Sequence, residues 1–400
     1  MLEPQSTVFF VLLLAAFVAL MAWLILVKHV VLRILAAFLA FVPAAFFGIA
    51  LVNKYYGYYQ TWGSAVADIT NQGGPAGGVP GGHLRTSGGV IRLLGNEVYL
   101  SIARQDGYTL RLLVHGPASH LTRQVYVYLP PQYFQPGYRA YRFPVVELIH
   151  GFPGQPQDWI TVLDITSTLR NLVGRGLARP AVLVMPDANG ARGVSLQCLN
   201  QVHGPQDATY MARDVPAYIA HTFRVWPAGR TWGIAGYSEG GFCAANLGLQ
   251  YGRNFGAAGV LSGYFRPTQN QLSHPERLVS PFGSDRRLRL ANSPAHEVLH
   301  LPPGALIPQF WIGAGTLDPA DATDAQIFRQ LLQLRQPTVI LKLVQGGHTM
   351  STWRALVPPM LSWMTRKLAS DALAVLARSH RLRHHPPPSK SARPRPRKSP

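Results

Sequence analysis

The 400-residue sequence predicts an α/β fold with a mostly parallel central sheet, preceded by two transmembrane helices. Three observations support this prediction. Strand patterns alternate with helix patterns over most of the chain, which is typical of βαβ units and a parallel sheet. A G-x-S-x-G motif joins one of these strands to the helix that follows it. Two apolar runs of membrane-spanning length stand at the N-terminus, and a chain of this length suits one large domain with appendages.

The N-terminal region has the composition of a membrane anchor. An uninterrupted apolar run extends from Val8 to Val27, and a second run extends from Ile34 to Val52. A stretch of roughly 20 apolar residues crosses the hydrocarbon core of a bilayer as a helix. A cleavable signal peptide has a shorter apolar core behind a basic region, whereas Glu3 is the only charged residue before the first run. We therefore expect residues 1–54 to form a two-helix anchor.

Basic residues near the ends of the runs predict the orientation of the anchor. Lys28 and Arg33 lie in the connecting loop, and the far side carries only Lys54. Because cytoplasmic loops are enriched in Lys and Arg, we expect a multi-pass protein of the cell membrane with everything after Val52 outside the cytoplasm. Five aromatic residues then fit either an interfacial belt or a cluster that faces the core: Tyr55, Tyr56, Tyr58, Tyr59 and Trp62.

Residues 55–89 read as a juxtamembrane segment and a Gly/Pro-rich linker, and residues 90–369 as the α/β domain. Strands are predicted at Val98–Ile102, Leu110–Val114, Val125–Leu129, Val145–Ile149, Ala181–Met185, Gly259–Leu261, Ile307–Ile312 and Thr338–Val344, with one more ending just before Ser238. Helices are predicted at Ile160–Leu177, Tyr210–Phe223, Phe242–Leu249, Asp321–Leu334 and Thr352–Leu368. Residues 264–306 interrupt the alternation and are a candidate cap.

The net charge is +19, and the densest run of basic residues lies in residues 370–400, which hold eight Lys and Arg against one Asp; we expect this segment to be a disordered basic tail. Such a tail could contact anionic envelope polymers or lipids, and without interleaved aromatic residues it does not predict nucleic-acid binding. Two cysteines exclude a disulfide-dense scaffold and a Cys-rich metal site. Cys198 and Cys243 are expected near one end of the sheet, either bonded to each other or as free buried thiols.

The motif Gly236-Tyr237-Ser238-Glu239-Gly240 indicates a nucleophilic serine. A serine at the tip of a sharp strand-to-helix turn needs strained backbone dihedrals and neighbours without side chains, which the two glycines provide. The alternative is a structural turn with the same small residues. If Ser238 is the nucleophile, the backbone amide of Glu239 is placed to stabilise an oxyanion.

A serine nucleophile requires a base and a carboxylate that orients it, in the chain order Ser, Asp, His for this kind of fold. His348 follows a predicted strand and two glycines, so we expect it to be the base. Asp318 lies in a glycine-rich loop at the end of a strand and is the predicted acid. Asp321 and Asp324 compete with it, although both more simply begin or cap the next helix.

A second oxyanion donor is expected from an early strand-to-helix loop. The segment His150-Gly151-Phe152-Pro153-Gly154 follows a buried strand, and we expect the backbone amide of Phe152 to join that of Glu239. His150 itself is interpreted as a structural loop residue. This chemistry needs no cofactor, and the sequence contains neither a phosphate-binding glycine loop nor a metal-ligand spacing.

Six segments between Val90 and Lys367 together resemble the serine esterase family of the α/β-hydrolase superfamily, which includes esterase D-like enzymes and mycobacterial mycolyltransferases. They are VYLPPQYF, VVELIHGFPG, VMPDANG, RDVPAYI, GYSEGG and GGHTMSTWR. The resemblance implies an α/β-hydrolase fold and acyl-ester chemistry through an acyl-enzyme on Ser238, with Asp318 and His348 completing a catalytic triad. Mycolyltransferases use a glutamate as the acid and lack the two spans, so acyl transfer to a sugar is not implied.

These observations favour a membrane-anchored, extracytoplasmic serine esterase that hydrolyses carboxylic (acyl) esters, with an ester or lipid-like small molecule as substrate. One alternative is an acyltransferase that moves the acyl chain to a cell-envelope sugar or lipid acceptor by the same acyl-enzyme. Another is a non-catalytic envelope-binding protein on the same fold. The intact set of nucleophile, base, acid and oxyanion loop argues against the second alternative.

Overall fold

The computed structural model describes residues 3–69, 86–87, 90–91, 97–190, 195–268 and 281–384. Eight strands of this part form the central sheet: β3 (Tyr108–His115), β4 (Thr122–Leu129), β5 (Val145–Ile149), β6 (Val182–Pro186), β7 (Gly229–Tyr237), β8 (Phe255–Leu261), β9 (Gln309–Gly315) and β10 (Ile340–Val344). A separate two-stranded ribbon pairs β1 (Thr86–Ser87) with β2 (Val90–Ile91).

The strand order of the central sheet is β10-β9-β8-β7-β5-β6-β4-β3. Strands β5 to β10 run parallel to one another, while β4 is antiparallel to both β6 and β3. All five residues of β5 and of β6 are buried, which explains their wholly apolar or nearly apolar sequences. Parallel strands present their carboxyl ends at one edge of a sheet, and loops at that edge form sites in this class of fold.

Helices cover both faces of the sheet, and the first and last elements of the described residues are also helices. In chain order they are α1 (Thr7–Leu26), α2 (Val30–Tyr56), α3 (Trp62–Ile69), α4 (Glu97–Asp106), α5 (Asp158–Thr161), α6 (Ile165–Gly174), α7 (Asp207–Thr209), α8 (Val215–Thr222), α9 (Glu239–Gln250), α10 (Arg286–Ala291), α11 (Pro294–His300), α12 (Pro319–Gln333) and α13 (Met350–His384). Two buried apolar clusters result. One packs α8, α9 and α12 on the sheet, and the other packs α5, α6 and α13 on the opposite face.

The predicted strand at Val98–Ile102 is wrong, because these residues lie in helix α4. Apolar residues alternate at Val98, Leu100 and Ile102, which suggested a strand, but the described side chains in this region are not buried in that alternating pattern. Ala103 is fully buried whereas Ile102 is 37% exposed. Five residues of alternation are too few to distinguish a strand from one face of a short helix.

Two further helix predictions need adjustment. The predicted helix at Ile160–Leu177 is two helices, α5 and α6, because the chain turns between them with Asp164 in the left-handed region at φ 49°. Helix α13 continues to His384, so the first part of the predicted disordered tail is helical. Most of the predicted linker, residues 70–85 and 88–89, and the tail from residue 385 onward lie outside the described residues.

Helices α1 and α2 form an antiparallel hairpin that stands apart from the two buried clusters. By length and composition both are candidates to cross a membrane. Many of their large apolar side chains are exposed, as Ile25, Phe38 and Phe41 illustrate at 70% or slightly more. The core helix of a soluble protein buries such side chains, so this exposure is unlike that of a core helix.

Cys198 and Cys243 form a disulfide, which resolves the alternative left open by the sequence. Their Cα atoms are 5.6 Å apart, and both side chains are fully buried. Cys243 is the fifth residue of α9, so the bridge ties the loop after β6 to the helix that begins directly after Ser238.

We expect the double substitution Cys198→Ala and Cys243→Ala to lower the free energy of unfolding by about 2–4 kcal/mol, because the bridge closes a loop of 45 residues in the unfolded chain. Thermal melting with and without a thiol reductant measures the effect. Reductant should lower the melting temperature of the wild type and leave that of the double variant unchanged. An equal response of both proteins would contradict the prediction.

Candidate active site

Ser238 occupies a sharp turn between β7 and α9 at the carboxyl edge of the sheet. Its backbone has φ 56° and ψ −121°, a strained conformation for a residue with a side chain. A Cβ atom on Gly236 would overlap the carbonyl of Gly240, and a Cβ atom on Gly240 would overlap the carbonyl of Ile149. The turn can therefore form only with glycine at both positions, as the motif predicted.

His348 lies in the turn between β10 and α13 and reaches Ser238. Its Nε2 is 2.9 Å from Oγ of Ser238. A Cβ atom on Gly346 would overlap the hydroxyl of Thr352, so the loop before the histidine also depends on a glycine. The ring of Trp353 packs edge-on against the imidazole at a centroid distance of 5.0 Å and restricts its orientation.

The carboxylate at the other side of the imidazole belongs to Asp321. Oδ2 of Asp321 is 2.6 Å from Nδ1 of His348, whereas the nearest oxygen of Asp318 is 4.0 Å away. Asp324 is exposed on α12. The structure therefore differs from the prediction at this position, because it places Asp321 and not Asp318 in contact with His348.

The N-cap of α12 explains this difference. Asp318 is the N-cap residue, and its Oδ1 accepts a hydrogen bond from the backbone N–H of Asp321, at 3.1 Å. Pro319 occupies the first helical position, where a proline is favoured. The cap leaves Asp321 in the first turn with its side chain directed at His348. Asp318 therefore caps the helix, and Asp321 contacts the imidazole.

The hydrogen bonds define what the three side chains can do. With Nδ1–H of His348 donating to Asp321, Nε2 is the basic nitrogen and can accept the proton of the Ser238 hydroxyl. Asp318, Asp321 and His348 also have potential metal-ligand atoms within 4.8 Å of one another. Both ring nitrogens of His348 are engaged, one by Ser238 and the other by Asp321.

The two predicted oxyanion donors lie beside Ser238. Glu239 is the first residue of α9, and Phe152 is in the wall of the cavity that contains Ser238. Neither backbone N–H has a hydrogen-bond acceptor among the described residues. A free amide at a helix N-terminus favours a negatively charged group. The geometry is suited to the donor roles that the sequence predicted, which remain predictions.

The side chain of Glu239 is buried behind the nucleophile. It is 4% exposed and accepts a hydrogen bond from the hydroxyl of Ser195. Burial raises the pKa of this carboxyl above its ordinary value, and the bond from Ser195 opposes that shift. Glu239 is not among the residues that line the cavity, so its buried carboxylate does not form part of the cavity wall.

His150 has the structural role that the sequence suggested. Its Nδ1 lies 2.8 Å from the carbonyl oxygen of Gly151, and its Nε2 accepts a hydrogen bond from the backbone N–H of Ala188, at 3.0 Å. The ring is fully buried. It therefore joins the loop after β5, which carries Phe152, to the loop after β6.

Ser238 and His348 line a cavity with a volume of ≈ 110 Å³. One wall is the segment Gly151-Phe152-Pro153, and another is formed by Thr349, Met350 and Trp353 with Tyr237. The remaining wall is formed by Tyr56 and Tyr58, from the end of α2 and the residues just after it. The sequence did not predict this last contribution. No described residue of the candidate cap, residues 264–306, lines the cavity.

Comparisons with known proteins identify a matching family and similar chains. The model of the family described as "Putative esterase" matches residues 120–364. An uncharacterised protein of Corynebacterium glutamicum is 26% identical over 250 residues, which cover 61% of this chain and 57% of that protein. The alignment thus spans little more than half the length of this relative.

Two solved structures are similar to this chain. A ferulic acid esterase has a TM-score of 0.57 at 19% identity, covering 66% of this chain and 99% of its own. The substrate-bound fluorophosphonate-binding serine hydrolase F of Staphylococcus aureus has a TM-score of 0.54 at 19% identity, covering 65% of this chain and 98% of its own. At this level of identity the similarity confirms the α/β-hydrolase fold that the sequence predicted.

Proposed function

This chain belongs to the esterase family of serine hydrolases, and from that premise we propose that it hydrolyses carboxylic esters at the outer face of the cytoplasmic membrane. The observation that carries the proposal is the continuous hydrogen-bonded series from Ser238 through His348 to Asp321, with distances of 2.9 and 2.6 Å. It opens into a cavity lined by Phe152, and among the residues that the structure describes the backbone amides of Phe152 and Glu239 have no hydrogen-bond acceptor. This is the arrangement that acyl transfer through a serine requires.

The proposed reaction has two halves. Oγ of Ser238 attacks the ester carbonyl while Nε2 of His348 takes its proton, and the amides of Phe152 and Glu239 stabilise the oxyanion. The imidazolium, oriented by Asp321, then protonates the leaving alkoxide, which departs as an alcohol. Water, deprotonated by His348, attacks the acyl-enzyme, and the carboxylic acid leaves as Ser238 recovers its proton.

Three observations support a membrane-anchored, extracytoplasmic enzyme. The apolar side chains of the hairpin are exposed, as lipid-facing side chains are. Lys28 and Arg33 stand at the end of the hairpin that is opposite to the catalytic domain, and such residues favour the cytoplasm. The Cys198–Cys243 disulfide is of a kind that persists in oxidising compartments.

A fluorophosphonate probe tests the proposed chemistry on the full-length protein in membranes. We expect the probe to label the wild type and the control variant Ser362→Ala, whose serine lies on α13 and bonds to the carbonyl of Leu177. Ser238→Ala should not be labelled. A membrane-impermeant probe applied to intact spheroplasts should label as much protein as it does after lysis. Labelling of Ser238→Ala would refute the assigned nucleophile, and labelling only after lysis would refute the orientation.

A further inference from the structure

The membrane hairpin takes part in the catalytic cavity. Tyr56 is the last residue of α2, and Tyr58 follows two positions later. Both line the cavity that contains Ser238 and His348. If α2 crosses the bilayer, the nucleophile lies beside the point where the chain leaves it.

The turn that carries these tyrosines has a defined conformation. Gly57 ends α2 in the left-handed region at φ 69°, and its N–H donates to the carbonyl of Asn53, at 2.8 Å. The side chain of Asn53 then makes two hydrogen bonds to the backbone of Tyr59. Its Oδ1 accepts from the backbone N–H at 2.8 Å, and its Nδ2 donates to the carbonyl at 2.9 Å. The turn is therefore fixed to the last turn of α2.

The catalytic domain holds the same turn through Arg354 of α13. Its Nη2 donates to the carbonyls of Gly57 and Tyr58, at 3.0 and 3.3 Å, and also to the carbonyl of Val162, at 2.7 Å. One guanidinium thus joins the end of the hairpin to the domain that carries the nucleophile. A Cβ atom on Gly57 would lie 3.1 Å from the backbone nitrogen of Ser351, so the contact is close.

The beginning of the hairpin reaches the same place. The side chain of Gln5 donates to the carbonyl of Tyr59 at 2.9 Å, and the carboxylate of Glu3 accepts from the backbone N–H of Trp62 at 3.0 Å. The ring of Phe9 packs edge-on against Trp62 at 5.3 Å. The start of α1 and the residues before it therefore contact the segment that directly follows the cavity residue Tyr58.

The size of the cavity limits what it can enclose. Pockets that bury a drug-sized ligand have volumes of roughly 300–1,000 Å³, whereas this cavity has ≈ 110 Å³. It can hold an ester group and a few adjoining carbons. Longer chains of a substrate must remain outside, and the surface next to the tyrosine wall is the apolar exterior of α1 and α2. Tyrosine, with an apolar ring and a polar tip, suits such a boundary.

We infer, on the basis of the proposed function, that the substrates are amphiphilic acyl esters resident in the membrane that anchors the protein. The ester group passes Tyr56 and Tyr58 to reach Ser238 while the hydrocarbon chains stay in the bilayer. Water then cleaves the acyl–oxygen bond, releasing one carboxylic acid and one alcohol. The hairpin is in this view part of the substrate-binding site as well as an anchor.

The test uses full-length protein in phosphatidylcholine vesicles with a fluorogenic long-chain diacyl ester. The ester is placed either in the same vesicles as the protein or in separate, protein-free vesicles. We expect hydrolysis to be at least tenfold faster when protein and ester share a bilayer, because a substrate that enters from the bilayer does not cross water. Equal rates in the two arrangements would overturn the inference.

Variants test the tyrosine wall in the same vesicles. Tyr56→Ala and Tyr58→Ala should each lower the ratio of diacyl-ester hydrolysis to nitrophenyl acetate hydrolysis by at least tenfold. Tyr55→Ala is the matched control, since Tyr55 is 72% exposed and does not line the cavity, and its ratio should match the wild type. An unchanged ratio in both cavity variants would contradict the inference. Failure of the wild type to bind fluorophosphonate or hydrolyse nitrophenyl acetate would instead refute the proposed function.

Discussion

Replacement of Ser238 or His348 by alanine is expected to lower kcat for nitrophenyl acetate by roughly 10⁶-fold, and the double replacement should cost little more. The reason is that the two side chains perform one step together. Without His348 the Ser238 hydroxyl keeps its proton, and without Ser238 the imidazole has no nucleophile to activate. Their hydrogen bond of 2.9 Å makes each residue depend on the other.

Steady-state kinetics and thermal melting of the single and double variants measure this effect and separate it from unfolding. His115→Ala is a suitable control, because His115 is exposed on β3 and bonds to Thr122 at the far edge of the sheet. Additive losses, with the double variant far below either single variant, would show that the two residues do not act as a unit. Retention of more than a tenth of wild-type kcat by His348→Ala would remove it as the base.

Features that depend on local backbone constraints were predictable from the sequence. The glycines around Ser238 are required by contacts with Gly240 and Ile149 that any strand-to-helix turn of this kind makes. The apolar or nearly apolar runs that form β5 and β6 reflect burial on both faces of the sheet, whichever strands lie beside them. His348 was identifiable because a glycine-rich loop at the end of a strand leads to the same edge of the sheet as the nucleophile.

Features that depend on distant parts of the chain were not predictable in this way. Nothing in the apolar pattern of α2 indicates that Tyr56 and Tyr58 meet a serine some 180 residues later. The choice between Asp318 and Asp321 also depends on tertiary structure, since the position of the imidazole decides which carboxylate it contacts. One local signal was nonetheless present. Asp318 directly precedes Pro319, and Asp321 follows that proline by two residues, which is a pattern typical of a helix N-terminus.

The assignment of the acid leads to a second large effect, an expected loss of about 10⁴-fold in kcat for Asp321→Asn. An asparagine has nearly the same shape, but its amide can present an N–H donor to Nδ1 of His348. That arrangement favours the tautomer with the proton on Nε2, which cannot accept the proton of Ser238. The loss should therefore appear in kcat, with the melting temperature nearly unchanged.

Asp318→Asn is the matched comparison, because it makes the same chemical change three residues earlier. Asparagine caps a helix as well as aspartate does, so the hydrogen bond to the backbone of residue 321 and the start of α12 should persist. Removing a charge 4.0 Å from Nδ1 of His348 should lower kcat by about tenfold or less, since solvent screens a partly exposed pair. A loss for Asp318→Asn that equals or exceeds the loss for Asp321→Asn would restore Asp318 as the acid and require the loop to rearrange when substrate binds.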